Sequence, residues 1–180
     1  MATEQVICAG FGGQGVMSMG QLLTYAGMIE EKNVSWLPSY GPEMRGGTAN
    51  CSVIVSDKPV GSPIVTDATS VIAMNLPSLL KFEKDLIKNG NLLVNSSLID
   101  QKSSRDDIKA YYIPANEIAN EVGNAKVANM VMLGAFLELT KIVEVESIVA
   151  ALRKVFGSAK EHLIPANEAA LRKGADSVKA

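Results

Sequence analysis

Ionisable side chains are scarce at the start of this sequence. The 180 residues carry 19 acidic and 17 basic side chains, a formal net charge of −2, yet none of Asp, Glu, Lys, Arg or His occurs in residues 5–29. A stretch of that length can span a membrane, but recurrent glycines and glutamines interrupt it, so we expect no transmembrane segment. The near-neutral balance also argues against a nucleic-acid binder, because phosphate neutralisation needs a clustered basic excess.

Cysteine and histidine are almost missing. Only Cys8, Cys51 and His162 are present, whereas zinc sites and iron–sulfur clusters need several such ligands at short spacing. We therefore expect no metal ligand in this chain. Both cysteines are predicted to be small buried apolar residues in strands.

A basic N-terminal region is lacking too. The sequence opens with Met-Ala-Thr-Glu-Gln, whose acid precedes the apolar run, and this is untypical of a signal peptide. We expect a cytoplasmic protein. Charged residues make up 20% of the chain, below the ~25% usual for soluble domains, which favours a surface that other subunits cover.

The first third of the chain reads as strand, glycine loop, helix and strand, the opening of a doubly wound fold. The length fits one domain, residues 1–180. We therefore predict an α/β fold, a single three-layer Rossmann-like domain with a mostly parallel sheet and a helical C-terminal third. The predicted elements here are strands at 5–9, 33–37 and 48–56, a helix at 16–29, and loops at 10–15 and 38–47.

Further strands are predicted downstream, followed by four helices. Residues 125–137 carry only one charge and are apolar nearly all round, which indicates a helix buried within the protein or under a partner. The remaining predictions are strands at 71–74, 92–94 and 111–113, a helix at 76–88 stopped by Asn89-Gly90, a polar connection at 96–107, and helices at 115–122, 127–140, 145–156 and 159–173.

The glycine loop has the spacing Gly10-x-Gly12-x-x-Gly15 between a strand and a helix. Free N–H groups at such a helix start attract an anion, and a pyrophosphate would fit. A dinucleotide site also needs an acid at the end of the second strand, which is missing, and no Gly-Lys-Ser/Thr phosphate loop occurs. Anion binding and a purely packing turn both remain open.

The second loop carries Arg45, the only arginine before Arg105. In a doubly wound sheet, the loops after the first and second strands emerge at the same carboxyl edge. Arg45 could therefore meet a carboxylate or phosphate near the glycine loop, with bidentate contact. The alternatives are an internal Glu43–Arg45 pair and a subunit contact.

Three segments together resemble one family, the gamma subunits of the 2-oxoacid:ferredoxin oxidoreductases, also described as the pyruvate/ketoisovalerate oxidoreductase gamma domain. The segments are residues 9–16 (AGFGGQGV), 39–47 (SYGPEMRGG) and 127–135 (VANMVMLGA). The form of the second segment is closer to the 2-oxoglutarate and ketoisovalerate members than to the pyruvate members.

The resemblance implies a subunit of a complex that oxidatively decarboxylates a 2-oxoacid with coenzyme A, yielding acyl-CoA, carbon dioxide and reduced ferredoxin. It implies alpha and beta partners and a ferredoxin-like delta subunit or domain. Thiamine diphosphate, magnesium and iron–sulfur clusters would lie in those chains, so this chain by itself is expected to be inactive and to hold no cofactor. No catalytic residue is assigned here.

One set of residues is then expected to face coenzyme A or a subunit interface: Gly12, Gly13, Gln14, Gly15, Ser39, Tyr40, Glu43 and Arg45. Indolepyruvate oxidoreductase, whose smaller subunit is similar, is an alternative within the same class. A stand-alone nucleotide-binding module or an NAD-dependent dehydrogenase is the alternative from another class. The missing acid after the second strand weighs against it.

Overall fold

A six-stranded mixed sheet with the strand order β2-β3-β1-β4-β5-β6 forms the centre of the molecule. The computed structural model describes residues 1–40 and 48–179, with Tyr40 described by its backbone alone. The strands are β1 (Thr3–Phe11), β2 (Asn33–Tyr40), β3 (Thr48–Ser56), β4 (Ala68–Ala73), β5 (Leu86–Asn95) and β6 (Lys109–Ile113).

Strand β3 is the one strand of this sheet that runs against the others. It pairs antiparallel with β1 on one side and with β2 on the other, while β1, β4, β5 and β6 pair in parallel. Strands β1 and β2 therefore point the same way, as a doubly wound opening requires, but β3 lies between them. The predicted mostly parallel α/β sheet is confirmed, and the inserted hairpin strand is a feature that local patterns did not show.

Helices cover both faces of the sheet unequally. The core on one face includes residues of every α-helix except α2, while α2 packs on the opposite face, which gives the three predicted layers. The helices are α1 (Val16–Ile29), α2 (Leu76–Phe82), α3 (Ala115–Val122), α4 (Ala128–Thr140), α5 (Val145–Phe156) and α6 (Ile164–Ser177).

Helix α4 is buried within the chain itself, because α6 packs directly across it. Every residue from 128 to 137 is buried. A side chain at Gly134 would overlap the backbone carbonyl of Leu171, and one at Gly174 would overlap that of Val131. Of the two predicted alternatives for this apolar helix, burial within the protein is therefore the one observed, because α6 of the same chain covers it.

Several boundaries differ from the sequence-based prediction. Strand β1 continues through Gly10 and Phe11, which were predicted as loop residues, because they pair with Ala49 and Thr48 of β3. Strand β2 continues to Tyr40, so Ser39 and Tyr40 are strand residues, because they pair with Asn50 and Ala49 of β3. The predicted helix at 76–88 is wrong beyond Phe82. A 3-10 turn follows, and Leu86 then pairs with Ala68 as the first residue of β5.

The predicted stop at Asn89-Gly90 lies inside β5. The register between β4 and β5 shifts near this point, Asn89 has φ +64°, and its N–H donates to the carbonyl of Asp107 at 2.8 Å. The register shift and the positive φ of Asn89 allow β5 to continue past Asn89-Gly90, where the sequence predicted a stop.

The last helix also begins later than predicted. A 3-10 segment, Ser158–Leu163, precedes α6, and Pro165 lies in the first turn of α6, where its missing N–H costs no hydrogen bond. In residues 1–40 and 48–179, no helix is long and apolar enough to cross a membrane.

Candidate functional site

The glycine loop lies at the carboxyl edge of the sheet, between the end of β1 and the start of α1. Gly13 has φ +92° and Gly15 has φ +76°, backbone conformations that side chains other than glycine rarely adopt. No side chain caps α1. Among the described residues, its first N–H groups therefore have no side-chain acceptor, an arrangement that suits an anion at the helix start.

Gln14 holds the loop in place from within. Its Oε1 accepts a hydrogen bond from the Phe11 N–H at 2.6 Å, and its Nε2 donates to the Met74 carbonyl at 3.3 Å. The amide thus bridges the carboxyl ends of β1 and β4. Both polar groups of the amide are therefore bonded to partners within the chain, which makes Gln14 a positioning residue for the loop.

Asn129 fixes the other side of the loop. Its Nδ2 donates to the Gly15 carbonyl at 3.2 Å, and the same carbonyl accepts the first hydrogen bond of α1, from the Met19 N–H at 3.0 Å. A side chain at Gly15 would overlap the Asn129 amide. The Asn129 side chain therefore ties α4 to α1.

A cleft of about 250 Å³ opens beside the glycine loop. Lys126 is exposed and is the one ionisable side chain among the lining residues, so the cleft carries a positive charge next to the positive end of the α1 dipole. The lining residues are Gly13, Gln14, Met74, Asn116, Ala125, Lys126, Ala128 and Asn129.

Amide and hydroxyl groups support the wall of the cleft near α3. The buried Asn95 donates through Nδ2 to the Oδ1 of Asn116 at 2.9 Å, and the Asn116 N–H donates to the Ser97 hydroxyl at 3.0 Å. The Ser97 hydroxyl donates to Glu117, and this bond, together with the Glu117 backbone N–H, lowers the pKa of that carboxyl. Asn116 is thereby held with its Nδ2 available as a further donor in the cleft.

The structure separates the predicted site residues into two groups. Gly13 and Gln14 line the cleft, and Gly12 and Gly15 flank them in the same loop. Ser39 and the backbone of Tyr40 lie at the same edge of the sheet but two strand spacings away, about 10 Å. Glu43 and Arg45 lie outside the described residues.

The two cysteines have the structural role that was predicted for them. Cys8 and Cys51 are both buried and face each other across the β1–β3 ladder. The hydrogen bond to Cys51, together with burial, raises the pKa of the Cys8 thiol well above its ordinary value. Cys8 is therefore a poor nucleophile. No group of three or more metal-ligating side chains occurs in the part of the chain that the structure describes.

Sequence reasoning missed Lys126 and Asn116 as site residues. The single charge in the apolar segment 125–137 was a visible signal, but its meaning depends on position. Lys126, in the turn just before α4, lines the same cleft as the glycine loop because Asn129 of α4 contacts Gly15, 114 positions away.

Comparison with known proteins decides the family. The sequence profile described as "Pyruvate ferredoxin/flavodoxin oxidoreductase" matches residues 5–177. The chain belongs to this family. Ketoisovalerate oxidoreductase subunit VorA of Methanothermobacter marburgensis is 42% identical over 174 residues, which are 96% of this chain and 36% of that protein.

Other family members match along most of both chains. The 2-oxoglutarate synthase subunit KorC of Methanocaldococcus jannaschii is 35% identical over 152 residues, covering 83% of this chain and 81% of KorC. The crystal structure of the keto/oxoacid ferredoxin oxidoreductase gamma subunit from Geobacter sulfurreducens superposes with a TM-score of 0.82 at 30% identity, covering 97% of each chain.

The same fold also occurs inside much longer chains. The 2-oxoglutarate:ferredoxin oxidoreductase of Magnetococcus marinus, solved with 2-oxoglutarate, coenzyme A and succinyl-CoA bound, matches with a TM-score of 0.88 at 23% identity, over 98% of this chain but 31% of that one. This likeness establishes the fold alone. The chain thus spans about a third of VorA and of the Magnetococcus protein, and most of KorC and of the Geobacter gamma subunit.

Proposed function

We propose that this chain, residues 1–180 as a single domain, is the gamma subunit of a 2-oxoacid:ferredoxin oxidoreductase. The observation that carries the proposal is the full-length match to a stand-alone gamma subunit, 97% of each chain. The enzyme would convert a 2-oxoacid and coenzyme A to acyl-CoA and carbon dioxide while reducing ferredoxin. The proposed 2-oxoacid is 2-oxoglutarate or a branched 2-oxoacid, since relatives are named for 2-oxoglutarate and ketoisovalerate, and others are named for pyruvate and ketoisovalerate together.

The rest of the enzyme would be supplied by other chains in the cytoplasm. Alpha and beta subunits and a ferredoxin-like delta subunit would carry thiamine diphosphate, magnesium and the iron–sulfur clusters. Within the described residues, the buried Cys8–Cys51 pair is unsuited to ligate a cluster, since both thiols are packed between β1, β3 and α1. This chain would then contribute binding and positioning, and would be inactive alone.

The cleft beside the glycine loop would hold a phosphate of coenzyme A. Three features fit an anionic group there: the uncapped start of α1, the positive charge of Lys126 and the Nδ2 donor of Asn116. Gln14 and Asn129 would act indirectly, by holding the loop against Met74 and α4. Coenzyme A bound in the Magnetococcus relative is consistent with this assignment.

The first experiment reconstitutes the enzyme from its subunits with and without this chain. We expect ferredoxin reduction that depends on coenzyme A, on a 2-oxoacid and on this chain, tested with 2-oxoglutarate, ketoisovalerate and pyruvate. A full rate without the chain would contradict the proposal. A strong thermal shift of the isolated chain with NAD, and none with coenzyme A, would favour a dinucleotide-binding protein instead.

Replacing Lys126 tests the cleft itself. A lost hydrogen bond to a charged group costs about 1.5–3 kcal/mol, so Lys126→Ala should raise the KM for coenzyme A about tenfold or more with little change in the KM for the 2-oxoacid. Lys160→Ala is the matched control, because Lys160 is also exposed but lies outside the cleft. An unchanged KM for coenzyme A in Lys126→Ala would contradict the assignment.

Arg45 is tested in the same assay. We expect Arg45→Ala to raise the KM for coenzyme A as well. Weakened assembly with an unchanged KM would instead assign Arg45 to a subunit interface.

A further inference from the structure

Helix α1 and strand β2 form a surface without ionisable charge. Neither element contains an Asp, Glu, Lys, Arg or His. A groove of about 290 Å³ runs between them. We call this region the α1–β2 surface, and it is lined by Gln21, Thr24, Tyr25, Met28 and Trp36.

The composition of the α1–β2 surface is that of a protein interface. The cores of such interfaces are depleted in charged residues and enriched in Tyr, Trp and Met, and all three types line this groove. Met28 is 54% exposed and Ile29 beside it is 46% exposed. A contiguous apolar region of this kind on a chain of balanced charge indicates a covered surface.

Two of the charges that border this surface are engaged within the chain. The Glu30 carboxylate accepts hydrogen bonds from the Glu144 N–H and the Ser147 hydroxyl, each at 2.7 Å. Lys32 pairs with Asp57 at 3.3 Å. One cation lies at the groove itself, because the Lys154 ammonium is 5.6 Å from the centre of the Tyr25 ring. A partner would therefore meet a groove whose lining residues carry no charge, with one lysine beside Tyr25.

Strand β2 adds a second, independent reason. It is one of the two edge strands of the sheet, and proteins normally protect such edges with charged side chains or proline. Strand β2 has no charge and a single proline, Pro38. The proline weighs against another strand adding to this edge, so the partner is expected to contact side chains rather than extend the sheet.

The comparisons indicate the occupant. The same domain is about a third of the VorA and Magnetococcus chains, yet nearly the whole of the Geobacter gamma subunit. Where the domain is a separate chain, a non-covalent interface must replace the covalent connection to the other two thirds. We propose that the α1–β2 surface docks the subunit that corresponds to those two thirds of a VorA-length chain, through a charge-poor apolar surface on that subunit. The inference rests on the proposed function.

The test is the affinity between this chain and that subunit, measured by titration calorimetry with both proteins purified. Met28→Glu should weaken binding at least about tenfold, because a carboxylate would be buried in an apolar contact. Gln21→Glu, in the same groove, should weaken it likewise. Leu80→Glu is the matched control, since Leu80 is 51% exposed on α2, on the opposite face of the sheet. Unchanged melting temperatures of the three variants exclude misfolding.

Each other outcome contradicts a specific step. If the wild-type chain binds no subunit of the enzyme, the proposed function is wrong. If the wild-type chain binds the subunit, and Met28→Glu and Gln21→Glu both bind it with the wild-type affinity, the proposed function stands and the assigned surface is wrong. A third outcome is that the isolated chain self-associates, and that Met28→Glu abolishes this self-association without changing the affinity for the other subunit. The occupant of the surface would then be a second copy of this chain, and the inference would be overturned.

Discussion

The amide side chain of Gln14 holds one side of the glycine loop. It joins the Phe11 N–H to the Met74 carbonyl, and therefore the ends of two neighbouring parallel strands. Both contacts satisfy backbone groups at the carboxyl edge of the sheet, where water or a ligand would otherwise be the partner. The shape of the cleft thus depends on the Gln14 amide, together with the glycines and the Asn129 contact on the other side of the loop.

Replacing Gln14 should destabilise the chain and loosen the loop. Two hydrogen bonds at about 1 kcal/mol each predict that Gln14→Ala lowers the free energy of unfolding by about 1–2 kcal/mol. Gln14→Glu should be no better, because its second oxygen would face the Met74 carbonyl instead of donating to it. Urea denaturation measures both. Gln101→Ala, at an exposed loop position, is the control, and equal stability of all variants would contradict this role.

At the scale of elements, the backbones of α4 and α6 approach each other closely where the two helices cross. Gly134 faces the Leu171 backbone and Gly174 faces the Val131 backbone. Small residues permit this approach, and it buries α4 on the side away from the sheet. The charge-poor α4 is consequently an internal element, whereas the charge-free α1 remains partly open.

A methyl group at this crossing should force the helices apart. Gly→Ala at an unconstrained helix position stabilises by up to about 1 kcal/mol, but overpacking costs about 1–3 kcal/mol. We expect Gly134→Ala and Gly174→Ala to lower the melting temperature by several degrees. Gly61→Ala is the matched control, because a Cβ there meets no atom within 4 Å. A rise in melting temperature for Gly174→Ala would refute the tight crossing.

At the scale of the whole molecule, the two faces of the sheet share the same strands. Alternate residues of β1, β4 and β5 belong to the helix-rich core on one face and to the α2 core on the other. Losing either core would therefore weaken the packing of both. We expect the described elements to unfold as one cooperative unit.

The only tryptophan, Trp36 in β2, makes cooperative unfolding testable, because its fluorescence reports on unfolding of the part of the sheet around β2. Phe82 packs in the α2 core, and Phe82→Ala should cost about 3 kcal/mol. The urea midpoint should fall equally by Trp36 fluorescence and by far-ultraviolet circular dichroism. A fluorescence midpoint that stays at the wild-type value would show that the two sides unfold separately.

Local patterns predicted much of this fold and part of the site. Helices α1, α3 and α5 have the bounds that apolar periodicity indicates, because helical spacing is a property of neighbouring residues. The glycine loop was placed correctly between β1 and α1 for the same reason. The helix predicted at 76–88 failed because Leu86 and Ile87 continue a helical spacing, while pairing with β4 draws Leu86 into a strand.

By itself, the sequence determined the α/β class, the glycine loop and the family. These depend on residue types and short spacings. Only the tertiary structure decided that β3 lies between β1 and β2, that α6 covers α4, and that Lys126 and Asn116 join the glycine loop in one cleft. Those arrangements depend on contacts between distant segments, whose free energies come from packing the whole chain, and no short stretch of sequence encodes them.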